Sequence, residues 1–177
     1  NSNWSTADNW NPNNAPSASG GHDLQFAGST RLDATMNGNY TVNSLTFNVG
    51  AGSFALKSTG TGTQTLKLGA GGITNLSSNN QAATFEKIDL TAAQTWTSSA
   101  GGIMTINGPI DKKNYLLTIT GTTPTYITGV ISGGGNLVAQ GGNDLILGTV
   151  GMSASSIGAI SLIGGRLFIN DSNAVAG

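Results

Sequence analysis

Residues 131–147 read Ile131-Ser-Gly-Gly-Gly-Asn-Leu-Val-Ala-Gln-Gly-Gly-Asn-Asp-Leu-Ile-Leu147. Three short apolar segments, Val130–Ile131, Asn136–Ala139 and Asp144–Leu147, are separated here by Gly-Gly-Gly at 133–135 and Gly-Gly at 141–142. Their alternation is that of strands, whose successive side chains point to opposite faces. A hairpin sandwich joins strands through two-residue Asn-Gly or Asp-Gly turns, and Asn37-Gly38 and Asn107-Gly108 are the dipeptides that would suit one. Corners as wide and Gly-rich as these, with another at Gly69-Ala-Gly-Gly72, predict instead a chain that changes face every few residues. Such a chain coils. Each turn pairs with the next through parallel ladders, and the inward Leu, Ile, Val and Phe stack into one continuous core.

The same texture extends in both directions. Apolar spacing at i, i+3, i+4, i+7 is sustained nowhere, whereas segments rich in Thr, Val, Ile and Leu recur between Gly and Asn breaks. Strands are expected at Tyr40–Phe47, Ser53–Lys57, Gln64–Leu68, Ile73–Leu76, Lys87–Leu90, Gln94–Thr97 and Ile103–Ile106. Further strands are expected at Leu116–Thr120, Thr125–Ile127, Val130–Ile131, Asn136–Ala139, Asp144–Leu147, Ser156–Leu162 and Arg166–Ile169. The fold class is therefore all-β, a parallel β-solenoid in one domain. At about 20–25 residues per turn, its 177 residues predict about seven or eight rungs. Residues 1–30 are read as an N-terminal cap and first-strand region, and 31–177 as the solenoid. Gln64–Leu76 and Gln94–Ile106 both open on Gln-Thr and carry Ala-Gly-Gly-Ile, which suggests an imperfect internal repeat.

Composition narrows the function. Only 8% of residues are charged, against about 25% in ordinary globular chains, and Ser, Thr and Asn make up a third of the sequence. Hydroxyls and amides must build the surface, so copies of the chain repel one another weakly. The net charge is −1 and the longest basic run is Lys112-Lys113. Nucleic acid would demand a clustered basic footprint, and an anionic membrane a basic patch; neither partner is expected. No apolar run approaches the ~20 residues of a membrane span. With no cysteine, disulfides and thiolate metal or redox sites are excluded. The opening at Asn1 lacks a basic and an apolar leader region, and reads as a mature product with any signal peptide removed.

Candidate chemistry is sparse. Glycoside hydrolysis needs two carboxylates across a cleft, and the only acidic pair close in sequence is Glu86 and Asp89, which strand alternation would place on opposite faces. A polysaccharide lyase would need clustered Asp for Ca²⁺ beside an Arg or Lys base, whereas Arg31 and Arg166 stand apart and no Asp pair is seen to recur at rung spacing. His22 adjoins Asp23 and suits a hydrogen bond in the cap region. Gly141-Gly-Asn-Asp144 resembles half of a Ca²⁺-binding nonapeptide in a single copy. No cofactor and no metal is expected. Thr59, Thr61, Thr63 and Thr65, and again Thr118, Thr120 and Thr122, alternate in a way that would align hydroxyls; ladders of β-branched residues explain them better than an ice-binding plane.

Two ends of the chain carry a resemblance. The opening Asn3-Trp-Ser-Thr-Ala-Asp-Asn-Trp-Asn-Pro-Asn-Asn-Ala-Pro16, followed by Gly21-His-Asp-Leu-Gln-Phe26, resembles the start of autotransporter-associated β-strand repeat proteins. Residues 131–147 are similar to the repeat core of that family, and Gly164-Gly-Arg-Leu-Phe-Ile-Asn-Asp-Ser-Asn-Ala-Val-Ala-Gly177 to its closing element. The chain departs from the family pattern at His22 and at 148–156. The resemblance implies a right-handed parallel β-helix exported to the cell surface, with the architecture of a passenger.

The expected function is that of a bacterial extracellular structural element, not an enzyme. A solenoid's open ends expose unpaired strand edges. The strand Arg166–Ile169 (Arg166, Leu167, Phe168, Ile169) is the segment expected to dock on another copy, giving a head-to-tail filament. The partners expected are copies of the chain itself or the rest of a longer passenger. The alternative is an adhesin or glycan-binding module, with Trp4, Trp10 and Trp96 as contact aromatics; for Trp4 and Trp10 a cap role is favoured, and for Trp96 the core.

Overall fold

The computed structural model describes residues 1–148 and 157–170. The first residue of the expected strand Ser156–Leu162, the 148–156 departure beyond Gly148, and the closing element from Asp171 onward lie outside the described residues.

The polypeptide winds around three faces. The first strands are β1 (His22–Phe26), β2 (Asp33–Met36), β3 (Tyr40–Phe47), β4 (Ala55–Ser58), β5 (Leu66–Asn75) and β6 (Gln81–Thr84). From the fourth circuit each turn uses three short strands: β7 (Ile88–Leu90), β8 (Gln94–Ser98), β9 (Met104–Asn107), then β10 (Ile110–Asp111), β11 (Leu117–Gly121), β12 (Thr125–Ile127). They are followed by β13 (Ile131–Ser132), β14 (Leu137–Gln140), β15 (Asp144–Leu147), and finally β16 (Ile160–Ile163) and β17 (Arg166–Ile169). Every pairing between these strands is parallel. Asn37-Gly38 and Asn107-Gly108 are thus corners of a coil and not hairpin turns.

The first face stacks the N-terminal halves of β3 and β5 with β7, β10 and β13; the second stacks β1, the C-terminal halves of β3 and β5, β8, β11, β14 and β16. The third face is a separate sheet in the order β2-β4-β6-β9-β12-β15-β17. Among the described residues seven strands on the second face mean six circuits, an all-β solenoid of about six turns. From Leu24 in β1 to Leu162 in β16 there are 162 − 24 = 138 residues, or 23 per turn. The turn length agrees with expectation; the count falls below seven or eight because residues 1–21 form a cap and one turn is long.

That long turn runs from Leu45 to Ile73. Val42 pairs with Leu68 but Ser44 with Gly72, so Asn43 faces Gly69, Ala70 and Gly71 as a bulge. Gly69–Gly72, expected to break a strand, therefore lies inside β5. The Gln64/Gln94 repeat is not structural either: Ile73 stands on Trp96, which places Gln94 seven residues out of phase with Gln64.

Inward residues form continuous columns. Leu24, Leu45, Ile73, Trp96, Ile119 and Ala139 stack on the second face, Tyr40, Leu66, Ile88, Ile110 and Ile131 on the first. Leu56, Ala83, Ile106, Ile127 and Leu147 stack on the third. All of these are buried, each large one contributing about 1.5–3 kcal/mol.

Candidate functional site

At the N-terminal end, residues 1–21 make a partial extra turn. Ser2–Trp4 runs beside β2, with Thr35 N–H donating to Ser2 O at 2.8 Å and Trp4 N–H to Thr35 O at 2.8 Å. Ala18–Gly21 runs beside β3, through Thr41 N–H to Ala18 O at 2.7 Å and Gly21 N–H to Thr41 O at 3.0 Å. The third and first faces are closed in this way. The second is not: among the described residues β1 pairs only with β3.

Along the outer edge of β1 run two grooves divided by Trp10. One, of about 420 Å³, lies between Trp4, Trp10, Phe26 and Arg31; the other, of about 760 Å³, lies between Trp10, Pro16 and the His22–Gln25 stretch. Trp10 is half-buried and held by its indole N–H on Trp4 O at 2.7 Å. Arg31, at φ 53°, fixes the short helical turn Ala7–Asn9 by donating to Asp8 O at 2.6 Å and Asn9 Oδ1 at 2.8 Å. His22 does bond within the cap, to Ser17 Oγ at 3.1 Å. Asp23 accepts from Ser44 Oγ at 2.6 Å and Asn43 Nδ2 at 2.7 Å, and these bonds hold its carboxyl below the usual range.

Of the three tryptophans, Trp4 is 1% exposed and Trp96 0%. Trp4 meets Trp10, Tyr40 and Phe85 edge-on, and Trp96 donates its indole N–H to Gln94 Oε1 at 2.7 Å inside the core. Trp96 borders neither groove; Trp4, though almost wholly buried, borders the smaller one, and Trp10, half-buried, lines both.

The C-terminal end is built differently. In β17, Leu167 and Ile169 continue inward columns and Arg166 and Phe168 point out. Arg166 grips Asp144 with two parallel bonds, Nε to Oδ1 at 2.9 Å and Nη2 to Oδ2 at 2.7 Å, and its guanidinium lies 5.3 Å from the Phe168 ring. Asp144, the acid of the half-nonapeptide, is thereby engaged by an arginine, and its carboxyl is held below the usual range by that bond. The neighbouring β16 was not singled out by the sequence, yet Leu162 and Ile163 are 49% and 62% exposed, against 41% for Phe168.

Sequence reading also missed an ionic cluster on the first face. Asp89 and Asp111 stand in register on adjacent turns, so an Asp pair does recur at rung spacing, with Lys67 next in the column. Lys87 Nζ lies 2.9 Å from Asp89 and 4.0 Å from Asp111; Lys113 Nζ lies 3.5 Å and 2.5 Å from them. Stacked carboxylates about 4.8 Å apart approach the spacing of a retaining glycosidase, but such a pair needs one acid held protonated. Here burial would raise the Asp111 carboxyl, and bonds from Lys113 with the charge of Lys87 outweigh it and hold it low. The lysines neutralise a ladder; they do not prepare an acid. Glu86 is likewise structural, accepting from Gln64 N–H at 2.5 Å and Gly62 N–H at 2.8 Å, which lowers its pKa. Among the described residues no group of three His, Cys, Asp or Glu converges on a metal-sized site.

The cluster makes a pH prediction. A carboxyl whose folded pKa is depressed stabilises above its unfolded value of about 4, and that contribution is lost as pH falls through the folded value. The double variant Lys87→Ala/Lys113→Ala is expected to melt below the parent at pH 7, and the gap is expected to narrow as pH falls below the unfolded carboxyl value. A constant gap between the two melting curves across pH would refute the account.

Lys112 and Lys113, adjacent in sequence, part company. Lys113 faces solvent, whereas Lys112 is fully buried, its Nζ donating to Gly133 O at 2.8 Å, Gly135 O at 2.6 Å and Ile157 O at 2.9 Å. Burial lowers its pKa. A threonine column also emerges, and of the threonines singled out by their alternation only Thr120 belongs to it. Thr46, Thr74, Thr97 and Thr120 stack on the outer second face, while Thr59, Thr61 and Thr63 sit in the loop between β4 and β5. The parallel column reads Ser44, Gly72, Thr95, Thr118, Val138, so the hydroxyls form one ladder and not a plane.

No protein-family model, curated protein or solved structure matches this chain.

Proposed function

We propose that this chain is an extracellular structural β-solenoid, a surface or matrix element that joins end to end with copies of itself into filaments. The observation that carries the reading is the asymmetry of the ends. The last described turn leaves Leu162, Ile163 and Phe168 exposed on strand edges, and such edges template pairing with another chain. The two ends are different surfaces, so contact between them is heterologous and does not close. A net charge of −1 opposes association weakly. The resemblance to surface-exported repeat proteins supports the location, and the rest of a longer passenger is the other partner that would satisfy the end.

A second reading, a glycan-binding passenger module, is favoured by Trp10 and the Asn- and Gln-rimmed grooves beside it. Negative-stain electron microscopy at micromolar concentration separates the two. Uniform fibres that shorten on dilution are expected. Discrete short rods at every concentration would overturn the filament reading, and glycan-array binding abolished by Trp10→Ala would then select the module.

A further inference from the structure

We infer that the larger groove beside Trp10 seats a neutral sugar bearing an acetamido group, an N-acetylhexosamine unit of a glycan chain. The inference rests on the glycan-binding reading and names the class of sugar that groove would take.

The edge of β1 supplies the hydrogen bonds. Asn48 N–H donates to Phe26 O at 2.9 Å. In a parallel ladder alternate residues face the same neighbour, so Leu24 and Phe26 turn their backbone groups toward β3 and Gln25 turns its N–H and C=O the other way. Gln25 is exposed and borders both grooves. Among the described residues no backbone group of the cap pairs with it. One donor and one acceptor thus face the opening, where a ligand of matching chemistry satisfies them. An extended peptide does not suit this edge, because Trp10 divides it into two short grooves. Ring-sized units do suit it: the larger groove, about 760 Å³, falls within the ~300–1,000 Å³ of small-ligand sites.

The lining sets the class of sugar. Trp10 gives an indole wall against which the C–H face of a sugar ring packs. Asn11 and Asn14 add exposed amides, and Ala15 and Pro16 a small apolar corner. Charge excludes acidic sugars. No Lys or Arg lines this groove, whereas Asp23 does, and the bonds from Ser44 and Asn43 keep its carboxyl ionised. A uronate would meet that carboxylate with no Lys or Arg to offset the repulsion. An acetamido group answers each feature in turn. Its N–H and C=O pair with the strand edge and the amides, its methyl takes the apolar corner, and it carries no charge.

Isothermal titration calorimetry with matched probes tests the assignment. The probes are tri-N-acetylchitotriose, cellotriose, which has a hydroxyl in place of each acetamido group, and an oligogalacturonate. The N-acetylated trimer is expected to bind about tenfold or more tightly than cellotriose, since each seated acetamido group adds a hydrogen bond and a covered methyl. The uronate is expected to bind weakest. Trp10→Ala should abolish binding. Because Trp10 also packs on Trp4 and Phe26, Asn14→Ala, at an exposed position, is the second variant. It should weaken the N-acetylated trimer severalfold and leave the melting temperature unchanged. Equal, Trp10-dependent affinity for the two neutral trimers, or preference for the uronate, would overturn the acetamido assignment and leave the glycan reading intact. Binding of the N-acetylated trimer that neither variant changes would overturn this seat. No binding of any probe would overturn the glycan reading together with the inference.

Discussion

Gly108→Ala is expected to destabilise the solenoid by about 2–6 kcal/mol, read as a lowered denaturant midpoint. Gly108 turns the corner after β9 at φ +101°, and a Cβ there would stand 1.9 Å from Phe85 O on the turn before. The obstacle is backbone, which no rotamer change can clear. Backbone strain costs about 1–3 kcal/mol and overpacking about 1–3 kcal/mol more. The next turn repeats the arrangement, since a Cβ on Gly129 would lie 1.6 Å from Gly108 O, so the corner cannot open outward without displacing its neighbour. Gly142→Ala is the control: nothing lies within 4 Å of its Cβ, and a change within about 0.5 kcal/mol is expected. Equal effects at the two positions would show that corner packing does not set stability.

Lys112→Met is expected to cost about 3 kcal/mol or more. Methionine fills a comparable space and spares the desolvation of an ammonium, but it leaves the carbonyls of Gly133, Gly135 and Ile157 without their donor. Each unsatisfied buried acceptor costs about 1–3 kcal/mol. The pH dependence identifies the cause. Burial depresses the folded pKa below the ordinary lysine value of about 10.4. Between those two values the unfolded chain binds more protons, so parent stability rises with pH across that window. The Met variant lacks this rise, and the gap between the two proteins should widen on the alkaline side. A variant as stable as the parent at neutral pH would show that water can replace the ammonium.

The sequence announced its coiling through the wide Gly corners at 133–135 and 141–142, and Tyr40–Phe47 was legible to the residue because Val42, Leu45 and Phe47 alternate with polar neighbours. Three strands beyond the first-strand region escaped. Ile110–Asp111 is only two residues long, Asp33–Met36 turns only Ala34 and Met36 inward, and Gln81–Thr84 turns in Gln81 and Ala83: Gln81 is buried because Phe54 N–H donates to its Oε1 and its Nε2 donates to Gly52 O. An inward glutamine leaves no hydrophobic trace. The cap and the Trp assignments followed from turn residues close in sequence. The Asp89–Asp111 pair and the Thr46–Thr120 ladder did not, although Ile88-Asp-Leu90 and Ile110-Asp-Lys112 lie one turn apart. Register depends on how many residues each turn spends, and that varies from 20 between Ile119 and Ala139 to 28 between Leu45 and Ile73. A fixed period smears such columns, and only the summed turn lengths reveal them.

The parallel ladders have a mechanical consequence. Their hydrogen bonds run along the solenoid axis, so a pull between the ends loads them in line with the force. Each turn stores 23 residues in about 4.8 Å of axis, and the same residues drawn straight span about 80 Å. Because a turn is held only by those on either side of it, peeling one turn at an end leaves the remainder in register and pays out about 75 Å of slack. A tether built this way yields by lengthening before it parts.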